Sequence, residues 1–552
     1  MKKFSGSSYG FAAPVNIDWK LLVFLLLFLN VKLVIKAAAI LVIYILQKDF
    51  KFGFKPGNNS RLPLFYLLVI GIAVFNWLVN GLAGNVKYNL VLLAGILFWI
   101  LCILAAHQVK LSVEKTDPGI IHRTVVAFFM INALISLAVY AGIILETGHI
   151  NPYQYQGDYQ KYFIGTGDYI KGLTFDTSNT NAVLNAFGVI YFLAKGKNTM
   201  TILCMAVLLL TASNITNLLL LVTLIFMFLF QSRKDQKSII VVCLVMLVTF
   251  LIKVSPQNNQ YVVNAYQDLF HIQSSSKPAE NNIPVTARPD STLTAEEKKE
   301  KIARLYMDSI NLSLYESNLK KSLAITAPMA IPGFIEKPVL PKDSIHTPRF
   351  QHKNDTNALE KDLIGYVAKN QDDVPLSSRA GTMPELPGKL IALQQTWRYF
   401  LQHPIKIWSG TGMGNFSSKL AFRATAMKVA GGYPERLAYT SKDFRSNHLD
   451  LYLYFFTNKD DYHSIVNSPN STYGQLLGEY GLAGLVSFIV FYAVFFLKKI
   501  NVRSYAFPLL LFMAGGFFID YWYEQLSVVV FFELLVWLHI KEESNRKTDE
   551  IS

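Results

Sequence analysis

The feature that most constrains this chain is a series of about twelve apolar runs broken once by a long polar stretch. The runs fall at about 18–31, 33–47, 63–82, 88–109, 121–146, 180–195, 199–213, 215–231, 238–254, 481–497, 504–520 and 522–540. Hydrophobic residues make up 52% of the chain and charged ones only 16%, which excludes an ordinary soluble protein. The expected fold is an all-α polytopic membrane protein of about 12 transmembrane helices with a large, mostly helical insert. Several runs are shorter than the ~20 residues of a perpendicular crossing, so the first two can also form one long tilted helix.

The formal net charge of +14 would suit nucleic acid, but the basic residues sort by topology. With the N-terminus in the cytoplasm, the inside loops hold Lys48, Lys51, Lys55, Arg61, Lys110, Lys115, Arg123, Lys195, Lys197, Arg233, Lys234 and Lys237. Lys498, Lys499, Arg503, Lys541, Arg546 and Lys547 continue the series, while the short outside loops are sparse in cations. Both termini are therefore expected inside and the insert outside. The chain divides into an N-terminal bundle of about nine spans (1–254, with an outside loop at 147–179), the insert (255–470), a return helix with the last three spans (471–541) and a cytoplasmic tail (542–552). Cys102, Cys204 and Cys243 all lie in apolar runs without metal-ligand or redox spacing, so neither metal nor cofactor is expected.

The insert is too long for a structureless connection. Thr294 and Glu297 have capping-box spacing before a helix through about 317, and further helices are expected at 357–369 and 388–402. Prolines 328, 332, 338, 341 and 348 mark an extended segment between them. At its far end, Asn470 or Ser471 caps a helix in which Tyr473, Leu476, Leu477 and Tyr480 share an apolar face and Ser471, Gln475 and Glu479 a polar one. Gly481 and Gly484 then bend the chain into lipid. The polar stripe suits an anionic headgroup, and an interfacial connector has the same pattern.

Chemistry is sought in the insert. Gly410, Gly412 and Gly414 alternate before Asn415-Phe416, without the spacing of a dinucleotide fingerprint. Around them in sequence stand Arg379, Lys389, Arg398, Arg423, Arg436, Arg445, Asn447, His448 and His463. Arginine forks bind phosphate oxygens bidentately and stay charged, whereas any single one is ordinarily a surface residue. His448 and Glu479 are the candidate proton acceptors. Glu533, mid-span, is expected to be structurally paired.

These residues resemble the O-antigen ligase and O-antigen polymerase superfamily. The likeness lies in the many spans with a late outside loop, in His403-Pro404 ahead of Gly410 to Phe416, and in Glu479-Tyr480-Gly481-Leu482-Ala483-Gly484 where the chain returns to the membrane. The resemblance implies a GT-C-like, metal-independent, inverting glycosyltransferase of a bacterial inner membrane, with the insert in the periplasm. Its donor would be an undecaprenyl-pyrophosphate-linked glycan and its acceptor another lipid-linked repeat unit (polymerase) or lipid A-core (ligase). Three positions depart from the family pattern. Asn470 stands where ligases place histidine, Ser213-Asn214 where Ser-Arg is common, and Lys389 where arginine precedes the His-Pro helix.

On this reading His448 or Glu479 takes the acceptor proton. Arg423 and Arg445, with Arg379, Arg398 or Lys389, hold the pyrophosphate, and Asn470 and Gln475 position headgroup or sugar. A transporter or a receptor with a periplasmic binding insert is the rival from another class. A carrier would more often show two related halves of broken spans, which this sequence lacks.

Overall fold

The computed structural model describes residues 16–30, 32–55, 60–154, 166–255, 301, 388–425, 437–449, 451–452 and 468–551, and among these it is helical throughout, without strands. Each apolar run coincides with a helix. In the first half these are α1 (Trp19–Phe28), α2 (Leu33–Gln47), α3 (Phe65–Val79), α4 (Val86–Lys115), α5 (Pro118–Thr147), α6 (Ser178–Ala194), α7 (Asn198–Leu210), α8 (Asn214–Phe230) and α9 (Lys234–Val254). The first two runs form two helices rather than one, with the break at Asn30.

From the insert, α10 (Gly388–Gln402), α11 (Lys406–Ser409), α12 (Lys419–Arg423) and α13 (Lys442–Asn447) are described. The expected helices through 317 and at 357–369 lie outside the described residues, as do Arg379, Arg436 and His463. The chain returns through α14 (Thr472–Leu497), then α15 (Ala506–Gly516), α16 (Trp522–Gln525) and α17 (Ser527–Ile551). The segment expected as a tail continues α17 as helix.

Among the described residues four helices, α4, α5, α9 and α14, are long and apolar enough to cross a membrane. Outer helices show apolar side chains to the surroundings, such as Leu41 and Ile45 of α2, Leu134 of α5 and Val245 of α9. That pattern is consistent with membrane association. The centre is the opposite: α6 is buried on nearly all sides from Ser178 to Leu193, and Val528 to Leu538 of α17 are buried all round. A helix apolar around its whole circumference has no wet face to offer and becomes the axis of the bundle.

Beside that axis, Phe65, Tyr66, Trp99, Phe488, Tyr492, Phe517 and Tyr523 form a continuous aromatic cluster with ring centroids about 5 to 6 Å apart. Such contacts add about 0.5–1.5 kcal/mol each beyond area burial. Glu533 sits inside it and accepts a hydrogen bond from the Tyr66 hydroxyl. The three cysteines are buried and free.

At one end of the bundle, basic side chains from several segments are paired or cap a helix. Lys541 caps the last turn of α4 by donating to the Val113, Glu114 and Thr116 carbonyls, Lys195 pairs with Glu542 at 2.6 Å, and Arg61 pairs with Glu114. The start of α17, nearly seven helical turns before its other end, lies at the opposite end, where α10 to α13 pack. Candidate chemistry concentrates there.

Candidate functional site

The polar stripe on α14 points into the protein. Ser471 caps the helix by accepting the Gly474 amide, and Ser471, Gln475 and Glu479 are all buried, whereas Tyr473 and Leu477 are partly exposed. Gly481 leaves helical geometry (φ +65°, ψ −164°), which frees the carbonyls of Gly478 and Glu479 from their intrahelical partners. The glycine loop supplies replacements. Thr411 and Gly412 donate their amides to the Gly478 and Glu479 carbonyls at 3.1 and 2.9 Å.

The Glu479 carboxylate completes this seam. One oxygen accepts the Gly414 amide at 2.8 Å and the other the Phe416 amide at 3.2 Å, and the side chain is 0% exposed. Gly410 and Gly481 are needed because the two backbones touch there, a Cβ on Gly410 (φ +75°) falling 2.4 Å from the Glu479 carbonyl oxygen. A Cβ on Gly481 would sit 2.5 Å from the Trp408 carbonyl oxygen, and one on Gly414 (φ +71°) would sit 2.6 Å from Val91 of α4. Asn76 of α3 donates to the Ser409 carbonyl, and Tyr439 and Ser441 hold Asn415 from the other side.

The seam delivers the next turn of chain to a cavity. Directly after the loop, Ser418 caps α12 by accepting the Ala421 amide at 3.0 Å. Lys419 and Arg423, four residues apart, then share one face of that turn. They line a cavity of about 290 Å³ together with Lys36 of α2, Asp176 and, from α16, Glu524 and Gln525. Its remaining wall is apolar, made of Leu33, Ala94, Leu97 and Phe98, and Leu33 and Leu97 are also 44% and 50% exposed on the outer surface of the bundle. One side of the cavity is thus charged and the other continuous with the apolar perimeter.

Its charged groups are incompletely satisfied. Gln475 donates to one oxygen of Glu524 at 2.7 Å, while the other oxygen, the Gln475 carbonyl, the Gln525 carbonyl and Arg423 Nε are buried without hydrogen-bond partners among the described residues. Buried polar atoms are nearly always paired in native proteins, so a cluster of exceptions marks where water or ligand binds. Lys36 donates to the Phe28 carbonyl at 2.7 Å and Ser527 Oγ at 3.2 Å, with Asp176 as the nearby carboxylate acting on it. Two residues with strained backbone flank this wall: Phe175 (φ +50°) precedes Asp176, and Leu526 (φ +69°, ψ −36°) follows Gln525.

The other expected site residues lie elsewhere. Lys389 is buried and donates to the carbonyls of Asn470 and Ile519, stapling α10 to the start of α14 and to the end of the α15–α16 connection. Burial pushes its ammonium down to about 7, with Asp520 pulling it back up. Asn470 meets that staple through its backbone, and its side-chain carbonyl is buried without a partner. His448 is 1% exposed, its ring 4.5 Å from that of Phe416 behind the loop and its Nδ1 3.1 Å from the Asn447 carbonyl. Burial pushes this imidazole down from 6.5 to about 4, the Asn447 carbonyl offsetting part of the shift. Arg398 and Arg445 are half-buried on α10 and α13 and do not line the cavity. Of the expected anion-binding residues, the structure places Arg423 in the cavity, with Gln475 directly behind Glu524.

Sequence reasoning passed over Lys36, Asp176, Lys419, Glu524 and Gln525. The signal for two of them was present: Lys36 and Glu524 are ionisable residues inside apolar runs, the same criterion that singled out Glu533. Among the described residues no three His, Cys, Asp or Glu side chains converge as a metal site. Compared with known proteins, the chain matches no family model, no curated protein and no solved structure.

Proposed function

We propose that this protein is a metal-independent, inverting membrane glycosyltransferase of the O-antigen polymerase and ligase type. It moves a glycan from an undecaprenyl-pyrophosphate carrier to an acceptor sugar at the periplasmic face of a bacterial inner membrane. The observation that carries the reading is the cavity in which Arg423, Lys419 and Lys36 face Glu524 beside a wall continuous with the lipid-facing perimeter. A substrate with an isoprenoid tail, a dianionic linker and a polar sugar needs those three surfaces in contact. The lysines and arginines of the loops that Arg61, Lys195 and Lys541 belong to support a cytoplasmic location for their end of the bundle and a periplasmic one for the cavity.

In this scheme the pyrophosphate lies against Arg423 and Lys419, whose charge grows in value as the leaving group becomes more negative. The acceptor hydroxyl oxygen attacks the anomeric carbon from the side opposite the phosphate, and the anomeric C–O bond to phosphate breaks. Undecaprenyl pyrophosphate leaves, and the hydroxyl proton passes to Glu524, whose second oxygen has no hydrogen-bond partner among the described residues. Gln475 holds Glu524 in place. Glu479, His448 and Lys389 then act as the frame that presents α12, rather than as groups touching substrate. Asn470, where the ligase pattern has histidine, favours polymerisation over ligation.

The test is turnover by the full-length protein in proteoliposomes supplied with an undecaprenyl-pyrophosphate-linked oligosaccharide and assayed for chain-length ladders with and without chelator. Ladders from the wild type, insensitive to chelator and lost in Arg423→Ala, are expected. No product with any lipid-linked glycan, or full product from Arg423→Ala, overturns the proposal.

A further inference from the structure

The helix α10 and the turn that follows it have a second face that the transfer chemistry does not use. One side of α10 is buried through Ile391, Ala392, Thr396, Tyr399 and Phe400. The other carries Trp397 and Leu401, and the strip runs on through Ile405 into Trp408 of α11, with exposures of 54, 63, 83 and 68%. Trp397 and Leu401 stand one helical turn apart on α10, and Ile405 and Trp408 carry the strip across the His403-Pro404 break into α11. Four large apolar residues in a row, two of them tryptophan, form a patch that soluble surfaces rarely leave open.

Its position says what covers it. Lys406 donates to Asn80 and Asn76 donates to the Ser409 carbonyl, which pins α11 against the C-terminal end of α3. There Phe75, Leu78 and Val79 are themselves 55–60% exposed apolar residues on a helix of the bundle perimeter. The Trp408 carbonyl also abuts Gly481, the kink after which α14 becomes apolar and exposes Val486, Ile489 and Val490. The strip therefore lies level with the ends of two lipid-facing helices. Tryptophan is favoured at that level because its ring is apolar and its N–H is polar, and Lys406 at the same turn suits lipid phosphates.

We propose that Trp397, Leu401, Ile405 and Trp408 form an interfacial anchor seated in the boundary between headgroups and acyl chains of the bilayer. An apolar strip of this kind sinks roughly 5–10 Å below the surface. The anchor ties the part of the insert that precedes the glycine loop to the bilayer surface, so that the loop it leads into is held at a fixed height above the lipid. This holds whatever chemistry the cavity performs.

The experiment uses the full chain in phosphatidylcholine liposomes, with the three buried native cysteines replaced by serine or alanine. Nitroxide labels are placed singly through Trp397→Cys, Leu401→Cys, Ile405→Cys and Trp408→Cys, with Lys171→Cys on an exposed loop as the aqueous control. Collision rates with oxygen, which partitions into lipid, are compared with those of a water-soluble nickel chelate. The expected result is an oxygen-to-chelate ratio several-fold above that of the control at all four positions, greatest at 401 and 405. Two results overturn the proposal: chelate access equal to the control, which places the strip in water, or low access to both reagents, which means that protein from this chain, a second copy or a partner covers it. Because each label is read separately, a single variant that fails to fold leaves three independent measurements.

Discussion

Two carboxylates at the same end of the molecule have opposite surroundings. Glu479 gives both oxygens to backbone amides of the glycine loop and is fully buried. Glu524 takes one hydrogen bond from Gln475 and has a second oxygen with no partner, on a cavity that also holds Arg423 and Lys419. The first is closed on itself; the second is incomplete without something added. The difference teaches that the repeated glycines and the acid that follows them build a joint, and that the joint serves to set α12 against α16. The proposed transfer is therefore assigned to the cavity, where Glu524 and Arg423 both have hydrogen-bonding capacity left over.

The largest effect that would break this contrast is a catalytic phenotype at the closed carboxylate. Glu479→Ala orphans two buried amides, each costing about 1–3 kcal/mol, so a loss of roughly 2–6 kcal/mol in stability and poor recovery of folded protein are expected. Thermal melts in detergent measure it. A Glu479→Ala protein that melts like the wild type yet has no activity would place Glu479 among the reacting groups and erase the distinction.

At the open site the signs reverse. Arg423→Ala is expected to lower turnover by roughly 100- to 1,000-fold, as for the loss of one donor to a developing oxyanion, with an unchanged melting temperature. Glu524→Gln should lower turnover by about 100-fold while leaving stability equal or slightly higher, because the amide replaces a carboxylate that is only half satisfied. The matched pair is the sharper measurement. Glu479→Gln should melt low and Glu524→Gln should not, and a reversed order would mean that the roles of the two acids have been exchanged.

Much of the fold was legible because the bilayer imposes a coarse rule: long apolar runs must be helices, since lipid offers the backbone no partners. Every run in the sequence coincides with a helix on that basis, and the cap at Ser471 and the three-residue polar stripe of α14 followed from local chemistry. The direction of the stripe was not legible. Periodicity fixes that Ser471, Gln475 and Glu479 share a face, yet whether that face meets headgroups or protein depends on what packs there, and α16 comes from residues 522–525, some fifty positions on. The cavity was hidden for the same reason. Lys36, Asp176, Arg423 and Glu524 come from four distant segments, and no local pattern joins them. Arg423 was found for its chemistry; its partners were set by tertiary packing alone.

His448 offers the smallest and most specific test of the contrast, because it can belong to only one of the two regions. In the frame behind the loop its imidazole is buried against Phe416, with Nε2 left without a partner among the described residues, and titrates near 4 in the folded protein against 6.5 when unfolded. Between those values the unfolded chain binds more protons, so stability falls as pH falls, beginning near 6.5 and levelling off below about 4. At pH 5.5 the loss attributable to this group is about 1.4 kcal/mol relative to pH 7.5. Replacing it in His448→Gln should remove that part of the acid dependence while leaving the remaining slope from other groups. Melts of both proteins at pH 7.5, 6.5 and 5.5 give the difference directly. Were His448 instead an acceptor of the substrate proton on an open wall, water and ligand would reach its ring, its pKa would stay near 6.5, and the two proteins would lose stability in parallel as the solution is acidified.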